Sequence, residues 1–566
     1  MNRSHPFVLF LLVFVVSMCA PKPPYYEVPR DRAAKLLLEP IPWSTADSLT
    51  PALSRERVKR GASRQLLAWD GSRFSSRNWA EGLAERREGG WSPIVEFLQV
   101  SDAQIRDERA YPPRALRGWD KVPYLQSTIR FPLMEILDGV VLDTFLENYR
   151  KQIEQYDVNE SKFDFFVVHT GDLLDISLVT ELIEAHNILR PIGEDLPVYS
   201  LVGNHDGLIF GNLTDEQTKT WEIGINRKEF VLGSLLLAPS GSKTDGGFGF
   251  ACNEVISSPT AMHGLPETAE ALERVKTIRA LDKNVLAEVQ MNPLAVKRTI
   301  SVKKEEDELP KEENELYQLG YYDFEKGGIR FICLDTAWRN MQHGGMGKMQ
   351  LGWLYLTLAR ALEKGEPVLV FAHHSPAQFR AHHDDADILR KMLRQFPNVL
   401  AYMYGHGHTI DIEGSGKPLL IQVPSTVDYP QAGALVRIFK GKGGEKARAY
   451  QLSLSFVRPA ADATTSEGVI LGGALFESWV MAYYDQYEVN RKKYGEFEAI
   501  KIPGNRSLTS CGFAKTRGDL CFHIETGDPA AWTVPPASEV FGSTLQVEEV
   551  NKARKKYLGA EAQLLP

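Results

Sequence analysis

Five short polar clusters are spread along the chain, and each follows an apolar run that predicts a β-strand. They are Asp-Ala-Gln at 102–104, Gly-Asp-Leu-Leu-Asp at 171–175, Gly-Asn-His-Asp at 203–206, His-His at 373–374 and Gly-His-Gly-His at 405–408. The clusters supply carboxylate, carboxamide and imidazole groups without thiolate. Such ligands suit a pair of divalent or trivalent first-row metal ions. The residue types therefore predict a binuclear metal hydrolase.

The elements that must position the first three clusters follow a regular order. Residues 94–100, 163–168 and 198–202 predict strands, and residues 137–156 and 178–189 between them have the apolar spacing of helices. This order is typical of parallel strands joined by crossover helices. Because the carboxyl ends of such strands open on one crevice, we expect the clusters to meet there.

A second group of predicted elements follows a long irregular segment. Strands are predicted at 320–324, 329–334, 368–372, 399–404, 419–423, 434–439 and 449–456, and helices at 349–362 and 386–396. Residues 475–493 predict an aromatic-rich helix, whereas the tail from 502 onwards has little pattern. The last two clusters follow the strands at 368–372 and 399–404.

In this order, the motifs D-x-[HQ], G-D-x-x-D, G-N-H-[DE], H and G-H-x-H resemble those of the calcineurin-like metallophosphoesterase superfamily. Segments at 322–324, 328–336 and 350–354 also resemble its second half. The resemblance covers residues 94–439 and implies an α/β fold, with two facing mixed β-sheets flanked by helices. It further implies hydrolysis of a phosphomonoester, phosphodiester or phosphoanhydride by a metal-activated hydroxide.

The expected organisation has four parts. Residues 1–19 form a signal peptide, residues 20–93 a tether and N-terminal extension, residues 94–440 the metallophosphoesterase domain, and residues 441–566 a C-terminal extension. The domain is interrupted by an insertion at about 207–318, where lids and substrate pockets are often built.

The resemblance implies a ligand role for seven residues. Asp172 would bridge both ions, because a carboxylate has two oxygens that can each hold a cation. The other ligands would divide between the two ions, with Asp102, Gln104 and His408 at the first and Asn204, His373 and His406 at the second. His374 is the alternative to His373, which is preferred because it comes directly after the strand.

Gln104 departs from the histidine that most members have at this position. A carboxamide oxygen is a harder and weaker donor than imidazole, so it favours manganese or iron over zinc. Alternatively, Gln104 only hydrogen-bonds a metal-bound water.

The resemblance also implies catalytic roles. His205 would meet the phosphate and help the leaving group depart, and Asp206 would hold its tautomer. Asn204 and His205 would neutralise charge on the phosphoryl oxygens. Asp175 would orient a metal ligand.

Composition and charge restrict the partners. The chain has 566 residues, 43% of them hydrophobic, and a net charge of -8, which argues against a nucleic-acid partner. The expected partner is a small phosphorylated substrate, and no protein partner can be inferred. Two alternatives stay open: a non-catalytic envelope lipoprotein that retains the scaffold, and a nucleotide pyrophosphatase with the same chemistry.

The N-terminus predicts export. Arg3 precedes an apolar run at 7–16 that is too short for an ordinary membrane helix, and Cys19 follows. This pattern resembles a bacterial lipoprotein signal, which would anchor the protein to the membrane through a lipid on Cys19, facing the periplasm or exterior. Cys511 and Cys521 bracket a short loop and form a plausible disulfide, whereas Cys333 is expected to be buried in a strand.

Overall fold

The computed structural model describes residues 66–68, 89–106, 132–154, 164–206, 230, 318–338, 342–380, 383–413, 418–443, 449–459, 471, 478 and 519–566, without positions 176, 178, 319 and 429. The predicted signal peptide, most of the N-terminal extension and nearly all of the insertion and of the helix at 475–493 lie outside these residues.

The described residues form thirteen strands and six α-helices. In chain order they are β1 (Leu67–Ala68), β2 (Trp91–Val100), α1 (Pro132–Glu154), β3 (Asp164–His169), α2 (Val179–Asp195), β4 (Val198–Ser200), β5 (Tyr322–Lys326), β6 (Ile329–Cys333), α3 (Lys348–Glu363), β7 (Val368–Phe371), α4 (His383–Gln395), β8 (Val399–Tyr404), β9 (Asp411–Glu413), β10 (Leu419–Gln422), β11 (Gly433–Gly441), β12 (Ala449–Arg458), β13 (Asp519–Glu525), α5 (Ala537–Phe541) and α6 (Thr544–Leu558).

The strands form two mixed sheets. The first has the order β1-β12-β11-β2-β3-β4, with β13 also paired to β12, and the second has the order β5-β6-β7-β8-β10-β9. Strands β2, β3 and β4 are parallel to one another, as are β6, β7, β8 and β10. Each sheet therefore has a parallel part whose strands deliver their carboxyl ends to one edge.

The two sheets face each other across an aromatic core. Phe97 of the first sheet stacks on its neighbour Phe166 with ring centroids 4.9 Å apart. The same ring meets Phe331 and Phe371 of the second sheet edge-on, at 5.9 and 5.5 Å. Burying a phenylalanine stabilises the fold by about 1.5–3 kcal/mol. The α/β fold with two facing mixed sheets is confirmed.

The first sheet continues beyond residue 440, where the C-terminal extension was expected to begin. Strand β12 pairs antiparallel with β11, and β13 pairs antiparallel with β12. The C-terminal region also packs on the second layer: a Cβ at Gly352 of α3 would collide with Val550 of α6. Arg554 of α6 donates to the carbonyl oxygen of Met349 at 3.3 Å. The C-terminal residues thus cover a sheet edge and a helix of the same core.

Two cysteines, Cys333 and Cys521, lie in the described residues. Cys333 is a free, fully buried residue of β6. Cys521 lies in β13 and is disulfide-bonded, and its predicted partner Cys511 is outside the described residues. Among the described helices, none is both long enough and apolar enough to cross a bilayer.

Candidate metal centre

The predicted ligands converge because they follow the carboxyl ends of parallel strands in both sheets. Asp102, Asp172 and Asn204 follow β2, β3 and β4 of the first sheet. His373 follows β7, and His406 with His408 follow β8, in the second sheet. The facing sheets bring these loops to one crevice, as the strand order predicts.

Hydrogen bonds between main-chain atoms lock the first two loops together. The Asp102 and Gln104 amides donate to the carbonyl oxygens of Gly171 and Asp172, at 3.0 and 2.9 Å. Two motif glycines are required by close approach: a Cβ at Gly203 would overlap Asp172, and one at Gly405 would overlap the side chain of Ser101. The spacing of the loops is thus set by main-chain hydrogen bonds and by close approach at these two glycines.

Backbone conformation marks the same residues. Among the described residues, seven other than glycine have a positive φ, and five of these seven are predicted ligands: Asp102, Gln104, Asp172, His406 and His408. The Cβ atom makes this left-handed region unfavourable for residues other than glycine, and residues held there cluster at functional sites. The fold therefore holds these five ligands in an unfavourable backbone conformation that only two other described residues, apart from glycines, adopt.

His373 lies at the middle of the cluster. Its Nε2 atom is 3.2 Å from Oδ2 of Asp172 and 3.0 Å from Oδ1 of Asn204. Its Nδ1 atom is 2.9 Å from the carbonyl oxygen of Thr170. Because a carbonyl only accepts, Nδ1 carries a hydrogen and Nε2 is directed at the oxygen ligands. This is the orientation that a metal-binding histidine adopts.

The residues fit a pair of cations. One group of possible ligand atoms, within 4.8 Å of one another, comes from Asp102, Asp172 and His373, and a second comes from His373, His374 and His406. Oδ1 of Asp102 is buried and makes no hydrogen bond of good geometry within the described residues. Nε2 of His408 lies 3.2 Å from that oxygen. Burying a carboxylate oxygen costs free energy unless a positive charge lies next to it.

The electrostatics show where positive charge is favoured. Burial would raise the pKa of Asp172, but the neighbouring His373 holds it well below its ordinary value. Burial would lower the pKa of His373, but the Asp172 and Asp102 carboxylates raise it to about 9. Burial would also lower the pKa of His408, but the Asp102 carboxylate helps to raise it to about 10. Without metal, the carboxylates stay ionised. The neighbouring imidazoles of His373 and His408 then stay protonated at the positions where metal cations would bind.

His374 has a different environment from His373. Its Nδ1 atom lies 3.2 Å from Oγ1 of Thr336, and its Nε2 atom lies 3.1 Å from the carbonyl oxygen of Gln342. Burial and the neighbouring His406 hold the pKa of His374 well below its ordinary value. His374 joins a possible ligand group with His373 and His406, but Thr336 and Gln342, the partners of its ring nitrogens, are not among the predicted ligands. The geometry favours His373 as the ligand.

The role expected of Asp206 is wrong. Its carboxylate accepts hydrogen bonds from the main-chain amides of Asp172, Leu174 and Gly203, at 2.9, 2.9 and 2.8 Å. Asp206 therefore fastens the loop at 171–175 to the loop at 203–206. Burial and the nearby Asp172 carboxylate raise its pKa to about 7.

Asp175 provides the partner of His205 instead. Nδ1 of His205 is 2.6 Å from the main-chain carbonyl oxygen of Asp175, and 4.0 Å from its carboxylate oxygen Oδ1. Asp175 was expected to orient a metal ligand, but the structure places it against the predicted catalytic histidine. On the other side of the ring, Nε2 of His205 lies 3.9 Å from Oδ2 of Asp172 and faces the centre.

Sequence reasoning missed Asp428 and Ser425. Oδ2 of Asp428 is 2.6 Å from Nδ1 of His408. The Ser425 hydroxyl donates to the carbonyl oxygen of Asp102 at 2.7 Å and accepts from the Asp428 amide at 3.0 Å. Both residues follow β10, another parallel strand that ends at the crevice. Their position after a strand was the available signal, although no motif marks them.

No family model matches the sequence, and no curated protein matches it. Solved structures align with it at low similarity. A 5'-nucleotidase precursor from Thermus thermophilus is 11% identical over 69% of this chain and 60% of that chain, with a TM-score of 0.28.

Two further structures align in the same range. The NAD nucleotidase of Haemophilus influenzae is 8% identical over 64% of this chain and 49% of that chain, with a TM-score of 0.27. GAP50, the anchor in the inner membrane complex of Plasmodium, is 12% identical over 68% of this chain and 95% of that chain, with a TM-score of 0.26. The chain thus spans 60% and 49% of the two nucleotidases. Likenesses at this level say nothing about activity, which depends on the chemistry of the centre itself.

Proposed function

We propose that this chain is a binuclear metallophosphoesterase, a hydrolase of phosphoric ester bonds. The observation that carries the proposal is the convergence of two carboxylates, an amide oxygen and imidazole nitrogens in one crevice, from the strand ends of two sheets. The group includes the 3.2 Å approach of His373 Nε2 to Asp172 and the 3.2 Å approach of His408 Nε2 to Asp102. Six of the predicted ligands, from five separate loops, would not be arranged in this way by packing alone.

The proposed ligands are those that the sequence predicts. Asp172 would bridge two ions, with Asp102, Gln104 and His408 at the first and Asn204, His373 and His406 at the second. When bound, two such ions neutralise phosphoryl oxygens and lower the pKa of a water nucleophile. Gln104, which is 2% exposed and lies in the same strained loop as Asp102, is the basis for proposing manganese or iron over zinc.

The chain's own residues would orient the substrate and move one proton. Asn204 and His205 lie in one buried loop at the centre, where they would contact phosphoryl oxygens. Because Nδ1 of His205 is held by the Asp175 carbonyl, its Nε2 atom is the one that faces the centre. His205 protonated at Nε2 would donate that proton to the departing oxygen. The substrate would be a small phosphomonoester, phosphodiester or phosphoanhydride.

The test is hydrolysis by the purified full-length chain loaded separately with manganese, iron and zinc. An aryl phosphate monoester, its diester and a nucleoside diphosphate serve as substrates, with Asp172→Asn as the control. We expect metal-dependent phosphate release that the Asp172→Asn variant lacks. The substrate that is hydrolysed fastest then identifies the class of phosphoric ester on which the protein acts. Rates for the loaded protein no higher than those for Asp172→Asn on every substrate would favour the non-catalytic scaffold.

We also propose that the protein is exported and anchored through Cys19. The support is the charged and apolar N-terminal pattern, together with the disulfide at Cys521, since disulfides persist in oxidising compartments. Labelling with a radioactive fatty acid in a bacterial host checks this proposal. The wild type should incorporate label and the Cys19→Ala variant should not, whereas label in neither protein would contradict anchoring.

A further inference from the structure

Arg106 is a buried cation behind the candidate centre that no step described above uses. It lies two residues after Gln104 and is 2% exposed. A buried guanidinium is costly to desolvate unless it is paired with a carboxylate in good geometry. Its partners therefore indicate what it does.

Arg106 is anchored at both ends. Its main-chain amide donates to Oδ2 of Asp138 in α1 at 2.9 Å. Its Nη1 atom donates to Oδ2 of Asp175 at 2.5 Å. The Asp175 amide also donates to the carbonyl oxygen of Ile105, the residue before Arg106, at 3.1 Å. The Asp175 side chain and main chain are thus both fixed by the loop that carries Arg106.

The fixed position of Asp175 determines which of its atoms meets His205. Its carbonyl oxygen is 2.6 Å from Nδ1 of His205, whereas the carboxylate atom Oδ1 is 4.0 Å away, outside hydrogen-bond distance. A carboxylate is normally the stronger acceptor for an imidazole N–H, because the bond is charge-assisted. The carboxylate that would compete for the ring is held by Arg106.

We infer that Arg106 is a positioning residue: by holding the Asp175 carboxylate, it leaves the Asp175 carbonyl to orient the His205 ring toward the centre. This inference rests on the proposed role of His205 as the proton donor. Without Arg106, the carboxylate is released and captures Nδ1, and the ring turns away from the leaving group. An error of about 1 Å in such a group can lower a rate about 100-fold.

The kinetic test is Arg106→Met, measured with aryl phosphates whose leaving groups span a range of pKa. We expect a loss of about 10-fold to 100-fold for the poorest leaving groups and little loss for the best ones. In a His205→Ala background, Arg106→Met should have no further effect. An equal loss at every leaving-group pKa, or a loss that multiplies with that of His205→Ala, would overturn the inference.

Arg437 offers a matched control. It is also a buried arginine, and it pairs with the buried carboxylate of Glu96 on neighbouring strands of the first sheet. Arg437→Met removes an ion pair of the same kind without touching the centre. It should lower the free energy of unfolding but leave the dependence on leaving-group pKa unchanged.

A measurement that needs no activity separates this inference from the proposed function. In protein with ¹⁵N-labelled histidine, assigned with His205→Gln, the Nδ1–H resonance of His205 reports its acceptor. We expect that resonance to move downfield in Arg106→Met and to stay in place in Arg437→Met. If Arg106→Met does not fold, the Arg106→Met/Asp175→Asn variant avoids an unpaired buried charge and should keep the wild-type resonance. An unmoved resonance in folded Arg106→Met, or a moved one in the double variant, would overturn the inference even if the wild type hydrolyses no phosphate.

Discussion

Nδ1 of His408 lies 2.6 Å from Oδ2 of Asp428, and Nε2 on the opposite side of the same ring lies 3.2 Å from Oδ1 of Asp102. The ring is thus held between a carboxylate outside the centre and a carboxylate inside it. In a metal site, an outer carboxylate of this kind fixes the tautomer of the histidine and increases its basicity.

Asp428→Asn should therefore weaken metal binding at the first site. We expect the dissociation constant of the ion at the first site to rise about 10-fold to 100-fold. Titration with manganese, followed by metal analysis after desalting, measures the change. Asp387→Asn on α4, where the carboxylate pairs with Arg390 at the surface, is the control and should bind metal as the wild type does. Equal metal affinity in both variants would show that Asp428 does not support His408.

Metal binding should release protons. In the metal-free protein, burial would lower the pKa values of His373 and His408. The neighbouring carboxylates instead raise them, to about 9 for His373 and to about 10 for His408. Both imidazoles are therefore protonated at pH 7, and an ion must displace the protons to bind them. Apparent metal affinity should rise with pH up to these values and fall as the pH is lowered.

Calorimetric titration in buffers with different ionisation enthalpies measures this release. Up to about two protons should leave per chain at pH 7 and fewer above pH 10. A heat of binding that is the same in every buffer would mean that neither imidazole gives up a proton. Protonation of His373 and His408 at pH 7 in the metal-free protein would then be contradicted.

Gly203→Ala should damage the centre by steric overlap. The added Cβ has no room beside the main-chain nitrogen and the carboxylate of Asp172. We expect the free energy of unfolding to fall by about 1–3 kcal/mol and the bound metal to be lost. Gly443→Ala is a control for the glycine change itself, because a Cβ there meets nothing within 4 Å and only its φ of 70° is unfavourable. Urea unfolding and metal analysis of both variants decide whether the loss is specific to Gly203.

The order of strands and the positions of the ligand loops could be predicted because they depend on local patterns. Continuous apolar runs predicted β3, β7 and β8, and the polar ligand clusters follow these strands directly. The structure extends α2 through Pro191 to Asp195, beyond its predicted end at 189, because packing on the core can override a local breaker.

Other features depend on long-range contacts that a single sequence does not reveal. Helix α6 has few buried apolar residues, so its polar pattern gave no sign that it packs on α3. The direction of a side chain is also hidden: Asp206 follows His205 in the chain, yet its carboxylate turns to the amide of Asp172. Arg106 and Asp428 belong to no motif and are recognised only by what they contact.

Proton donation by His205 predicts a selective defect. His205→Ala should slow hydrolysis of aryl phosphates with poor leaving groups by about 10²-fold or more, and should hardly affect activated ones. The metal content should stay the same, because the predicted role of His205 is not that of a ligand. Rates that fall equally for all leaving groups would instead indicate that His205 only binds the phosphate.

The central claim is that Asp172 is shared by two metal ions, and anomalous X-ray diffraction from crystals of manganese-loaded protein tests it most directly. We expect two anomalous peaks a few ångströms apart on either side of the Asp172 carboxylate, and no pair of peaks in Asp172→Asn. Fully loaded crystals with no peak at that carboxylate, or with a single one, would contradict it.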